Sequence, residues 1–295
     1  MTRKTSSDFD PEVLRQFDAY VHGSLSRRGF LTAIAQYATG VLTAELILQQ
    51  LSPQFAVAQQ VAEADQRIKI AHTEFDSPAG NGKVKGYLAR PAQAKGKLPV
   101  VLVVHENRGL NPHIEDIARR LALDGFIAFA PDALAPLGGY PGDEDKAREL
   151  FGKLDQEKTR ADFLAATAAL KKLDGANGKV GVVGFCYGGG MANYLATQLP
   201  DLAAAVPFYG QGAKLEDVGR IKAPLLIHFA EKDERINAAW PAYEAALKEH
   251  GIRYEAFVYA GTQHGFNNDT TPRYDKAAAD LAWQRTIAFF RKQLA

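Results

Sequence analysis

Residues 180–190 read Val-Gly-Val-Val-Gly-Phe-Cys-Tyr-Gly-Gly-Gly, an apolar strand-type run that stops in a Gly-x-Cys-x-Gly-Gly turn. A helix-compatible stretch, residues 191–198, follows at once. Strand, tight corner and helix in that order lift one side chain, Cys186, to the apex of a turn too cramped for bulky neighbours. Free cysteine in a globular protein is commonly a buried apolar residue. Here the corner marks it instead as a nucleophile. It is the only cysteine of the chain, which excludes an internal disulfide and a multi-cysteine metal cage.

The rest of the region from residue 65 fits the fold that such a corner demands. Residues 67–75 and 84–90 read as two strands around a Ser-Pro-Ala-Gly-Asn-Gly turn, hence an antiparallel hairpin. Residues 99–105 are continuously apolar up to His105, as in a strand buried on both faces. Helix-like and strand-like segments then alternate: 114–124, 126–130, a long charged helical region over 143–173 broken near Gly152, the corner itself, 203–209, 224–229, 238–250, 254–259 and 272–294. This alternation predicts an α/β fold with a doubly wound, mostly parallel sheet behind the opening hairpin. Right-handed crossovers gather the loops at the carboxyl ends of the strands, where a site is expected. The 143–173 region is a candidate lid.

Those loops carry the candidate chemistry. A thiolate at residue 186 would meet the oriented N–H groups of the following helix. His264, in Gly-Thr-Gln-His-Gly-Phe, is the candidate base. Asp233, past the 224–229 strand, is the candidate acid that fixes the imidazole, with Glu231 and Glu234 as rivals one or two residues away. The chain order Cys186, Asp233, His264 is that of the α/β-hydrolases. Glu106, at the end of the apolar strand, is a candidate for tuning the thiol; the competing reading is a solvated charge paired with Arg108. The backbone N–H groups of Asn107 and Tyr187 are candidates for an oxyanion hole. His105-Glu106 lacks the second histidine of a zinc-helix motif, and no dinucleotide or phosphate-loop glycine pattern appears, so neither metal nor cofactor is expected.

At 295 residues the chain has room for one large domain, 65–295, and an appendage, 1–64. Within the appendage, Ser26-Arg27-Arg28-Gly29-Phe30-Leu31 precedes an apolar stretch to Leu51, and Ala56-Val57-Ala58 has the small-residue spacing of a cleavage site. This resembles a twin-arginine export signal, with cleavage after Ala58, the Tat machinery as partner and a periplasmic location. The alternative is a helical extension that stays attached and packs on the main domain, in a cytoplasmic protein. Gln36, Glu45 and Gln49 interrupt the apolar run, so no stable membrane span is expected. A net charge of +1 gives no electrostatic footprint for nucleic acid.

The region from about residue 65 resembles the dienelactone hydrolase (carboxymethylenebutenolidase) family. The resemblance rests on Gly184-Phe185-Cys186-Tyr187-Gly188-Gly189, on Glu106, on Asp233 and on His264-Gly265-Phe266. It implies a Cys-Asp-His triad, a glutamate that assists thiol activation, and an acyl-thioenzyme formed on a small lactone or ester and hydrolysed by water. The family's two substrate-carboxylate arginines have no counterpart, because Pro131-Asp132-Ala133-Leu134 and Asn267-Asn268 stand at those places. Arg108 and Arg273 are the candidate substitutes. Without the clamp, neutral or differently shaped esters are favoured. The alternative function is a non-catalytic thiol-based binding or redox-sensing module on the same fold.

Overall fold

Eight strands form one sheet in the order β1-β2-β4-β3-β5-β6-β7-β8, in a computed structural model that describes residues 4–39 and 42–295. Strands β1 (Ile68–Ser77) and β2 (Gly82–Pro91) make the expected antiparallel hairpin, and β2 is also antiparallel to β4. From there the sheet is parallel: β3 (Leu98–Val104), β4 (Ile127–Pro131), β5 (Ala176–Phe185), β6 (Ala204–Phe208), β7 (Leu225–Lys232) and β8 (Tyr254–Gln263). The central strands are buried on both faces because helices cover both. Helices α5 (Pro112–Leu123) and α11 (Lys276–Leu294) bury Ile114, Ile117, Ile287 and Phe290 on one side. Helices α7 (Gln156–Leu170), α8 (Tyr187–Gln198) and α10 (Trp240–Glu249) bury Phe163, Leu195 and Leu247 on the other. The break foreseen near Gly152 separates α7 from α6 (Glu144–Phe151). A short α9 (Glu234–Asn237) follows β7. This is the α/β-hydrolase-like architecture, eight-stranded and mostly parallel.

The described residues of the N-terminal segment form four short α-helices: α1 (Pro11–Val21), α2 (Arg27–Ile34), α3 (Ala44–Leu51) and α4 (Phe55–Ala58). Asp10, Ser26 and Thr43 cap the first three through their side-chain oxygens, satisfying N–H groups that a helix start leaves open. Their apolar faces close on one another in a third core that includes Phe17, Phe30, Ile34 and Leu51. No helix among the described residues is long and apolar enough to cross a membrane.

This segment is seated on the catalytic region by specific polar contacts. The carbonyl of Val21, at the carboxyl end of α1, accepts from Asn107 Nδ2 at 2.9 Å and from Arg108 Nη1 at 3.2 Å. The Tyr20 carbonyl accepts from Arg148 Nη1 at 2.7 Å. Helix ends carry unsatisfied carbonyls and partial negative charge, and cations belong there. Arg27 pairs with Asp145 at 3.0 Å, Gln54 N–H donates to the Thr270 carbonyl at 2.9 Å, and Val61 N–H donates to Asp116 at 2.8 Å.

Candidate active site

Cys186 occupies the corner between β5 and α8 with φ 54° and ψ −111°, a left-handed backbone that costs energy for a side chain bearing Cβ. The flanking glycines make it feasible. A Cβ on Gly184 would stand 1.9 Å from the Gly188 carbonyl oxygen, and one on Gly188 would stand 2.2 Å from the Val104 oxygen on β3. The corner is therefore pressed against its own helix and the neighbouring strand. The helix starts at Tyr187, four residues before the sequence pattern suggests, because those glycines pack as helix and not as loop. Cys186 thus immediately precedes the helix N-terminus. It is partly accessible and opens on a cavity of about 770 Å³ lined by Tyr187, Tyr194, Tyr209, Gln211 and Arg235 among others.

Loops after β7 and β8 bring Asp233 and His264 together. His264 Nδ1 lies 2.5 Å from Asp233 Oδ2, and both side chains are buried. That bond fixes the tautomer that leaves Nε2 for the sulfur. His264 Nε2 is buried without a hydrogen-bond partner among the described residues, and the sulfur lies within 4.8 Å of the imidazole's available nitrogen. Of the rival acids, Glu231 accepts from Gly261 N–H at 2.7 Å and Glu234 is exposed on α9. Burial alone would push the Cys186 thiol up, but the charges of His264 and of a second imidazole, His22, bring it down to about 5. His264 is raised to about 10: burial opposes its charge, and the thiolate and Asp233 overcome that.

His22 was not foreseen. It comes from the carboxyl end of α1, and its Nε2 lies 3.4 Å from Cys186 Sγ. Its ring meets that of His264 edge to face, with centroids 4.7 Å apart. Arg235 Nη2 is 3.1 Å from His22 Nε2 and 3.5 Å from His264 Nδ1. Tyr209, at the end of β6 with φ 36°, presents a buried hydroxyl without a hydrogen-bond partner among the described residues. The Asp18-x-x-x-His22 spacing was the signal available for His22, since residues four apart share a helix face.

The other expected residues are placed as follows. Glu106 is held by Asn268, whose Nδ2 donates to Oε2 at 2.8 Å, and it lines a separate cavity with Arg108 and Arg273. Among the described residues, Cys186 Sγ meets His22 Nε2 at 3.4 Å, and Arg108 Nε lies 3.6 Å from the Glu144 carboxylate. Asn107 and Tyr187 line the Cys186 cavity. The substitute arginines are already engaged. Arg108 caps α1 through Val21, and Arg273 Nη1 pairs with Asp18 at 3.1 Å. His105, His113 and His228 serve the core; His105 Nε2, for example, accepts from Ala133 N–H at 3.1 Å.

Cys186, His22 and His264 offer ligand atoms within 4.8 Å of one another, a donor set that suits zinc. Arg235 opposes that use, because its guanidinium stands 3.1 Å from the nitrogen that would coordinate. The arrangement fits an ion pair between thiolate and imidazolium better than a dication.

Residues 84–294 match the model of the dienelactone hydrolase family. The chain belongs to that family. As a member it is a hydrolase of esters or lactones. Residues 1–39 match a second model, YqhI-like. The Escherichia coli K12 protein "Putative hydrolase fragment YghX" is 52% identical over 114 residues, covering 39% of this chain and 97% of that one. A Synechocystis protein named "Putative carboxymethylenebutenolidase" is 31% identical over 245 residues, 77% of this chain and 99% of its own length. Among solved structures, a Klebsiella pneumoniae "Putative Dienelactone Hydrolase" superposes with a TM-score of 0.67 at 30% identity, over 76% of this chain and 99% of that chain.

Proposed function

We propose that the chain hydrolyses lactones or small activated esters through an acyl-thioenzyme, with Cys186 as nucleophile and the Asp233–His264 pair as its acid–base partner. The observation that carries this is the 2.5 Å bond from His264 to Asp233 beside a sulfur on a strained corner at a helix N-terminus. The thiolate attacks the carbonyl carbon, and the oxyanion forms toward the Asn107 and Tyr187 amides. The C–O bond breaks and the leaving oxygen takes the proton of His264 Nε2. Water then gives a proton to that nitrogen and attacks the thioester carbon; the C–S bond breaks and the thiolate and imidazolium are restored. Arg235, on the cavity wall, supplies the positive charge that the usual clamp positions lack; Arg160, also on that wall, is paired with Glu157 at 2.8 Å. An acidic group on the substrate is therefore accommodated, a revision of the preference for neutral esters.

The test is turnover of a panel of lactones, p-nitrophenyl esters and dienelactone by the wild type and Cys186→Ala. Loss of at least about a thousandfold is expected for a group whose removal leaves only binding and oxyanion stabilisation. A variant that retains full turnover removes the reading. A wild type that titrates with oxidant yet cleaves nothing in the panel leaves the thiol-sensing module in its place. Export stands as a separate proposal, carried by the Ser26–Leu31 run. A native protein that begins near Gln59 in mass spectrometry supports it, and an intact start opposes cleavage.

A further inference from the structure

Two carboxylate–imidazole pairs converge on the sulfur of Cys186, and only one of them belongs to the sheet. The second is Asp18–His22 of the N-terminal segment. His22 Nδ1 is 2.8 Å from the Asp18 carbonyl oxygen and 3.3 Å from its carboxylate, which leaves Nε2 facing Sγ at 3.4 Å. We propose that His22 is a second catalytic histidine, supplied by the N-terminal segment, whose Nε2–H holds Cys186 as a thiolate. This rests on the Cys186 reading above and adds the segment to the active site.

The placement is built from both sides. His22 closes the carboxyl end of α1, where the helix dipole favours a cation, and Cys186 precedes the amino end of α8, where it favours an anion. The end of α1 is fixed by the catalytic region itself, through Asn107 and Arg108 on the Val21 carbonyl. Arg273 holds Asp18 in turn. The charged groups facing His22 are Asp18 and the thiolate, which favour its proton, and Arg235 and His264, which oppose it. Burial also disfavours the charge, and the attractions prevail, so the ring is shifted upward. The proposal requires both imidazoles to be protonated in the resting site, with the thiol proton on His264 Nε2 and a solvent-derived proton on His22. When water displaces the enzyme from the thioester, His22 Nε2–H receives the charge returning to sulfur. The proposal requires the segment to stay attached, because cleavage after Ala58 would carry His22 away.

The measurement is alkylation of the full-length protein by iodoacetamide across pH, which reads one thiol and needs no hydrolysis. His22→Gln keeps a polar side chain of similar reach and is expected to raise the thiol's apparent pKa by about two units, so that alkylation near pH 6 falls about tenfold. Asp18→Asn, which spares the ring, is expected to move the same edge by less. Retention of α1 is checked by limited proteolysis; should His22→Gln loosen it, the Asp18→Asn edge decides. An unchanged edge in both variants overturns the proposal. So does faster alkylation or turnover in His22→Gln, which would mean that the segment obstructs the sulfur. A failure of the hydrolase reading would appear instead as absent turnover with the wild-type alkylation edge in place.

Discussion

The two imidazoles beside Cys186 are held in different ways. His264 is buried and stands 2.5 Å from a buried Asp233, on loops that the ends of β7 and β8 place beside the corner. His22 is half-buried, 3.3 Å from a partly exposed Asp18, on a helix that reaches the sulfur only because a separate small core docks there. The first pair is fixed by the sheet and the second by the seating of the N-terminal segment. Proton transfer to a leaving group demands the tightly held ring; stabilising a charge across 3.4 Å tolerates the looser one. The comparison assigns transfer to His264 and charge stabilisation to His22.

The sharpest break between them is expected at Asp233. Asp233→Asn preserves the shape but inverts the preference for the useful tautomer of His264, and turnover is expected to fall about 10²–10⁴-fold. The measurement is steady-state hydrolysis of the best substrate in the panel. A loss smaller than that of His22→Gln would reverse the assignment of roles.

A core substitution separates the pairs physically. Phe30 is fully buried in the N-terminal core and stacks on Tyr20, with ring centroids 5.3 Å apart. Phe30→Ala is expected to destabilise that core by about 3–5 kcal/mol. Amide exchange should then accelerate over α1 to α3 while β3 and β5 keep their protection, and alkylation near pH 6 should drop as in His22→Gln. Exchange that rises equally in both regions would make the segment and the sheet one cooperative unit.

The sheet was legible because its signals are local. Continuous apolar runs bounded by helical patterns marked β3 and β5, and Gly184 and Gly188 marked the corner. Asp233 and His264 could be named because each follows a strand end, which places it at the site edge by topology alone. His22 carries no such address. Its position depends on three short helices, α1 to α3, packing through Phe17, Phe30, Ile34 and Leu51, and on Arg108 receiving a helix end, contacts of high sequence separation. The same blindness misassigned the arginines. Arg108 and Arg273 sit near the substrate edge in sequence but are committed to the segment, whereas Arg235, one residue beyond α9's start, reaches both imidazoles. Glu106 was placed correctly on its strand end, yet its partner Asn268 lies far along the chain.

The smallest effect sharpens the comparison most, because it lies in the shape of a pH profile. With the thiol at about 5 and His264 at about 10, the ion pair exists between those values. Wild-type alkylation is expected to rise through about pH 5 and stay flat above pH 7, whereas an ordinary thiol, near 8.5, is still climbing there. Loss of the His22 hydrogen bond moves only the lower edge upward. At about pH 8.5 the thiolate of His22→Gln is again nearly complete, and its turnover should return to within about threefold of wild type. A His264→Gln variant has lost the proton donor itself, so raising the pH restores its thiolate without restoring turnover. Recovery in both variants would make His264 dispensable for transfer, and recovery in neither would make the two rings a single functional unit.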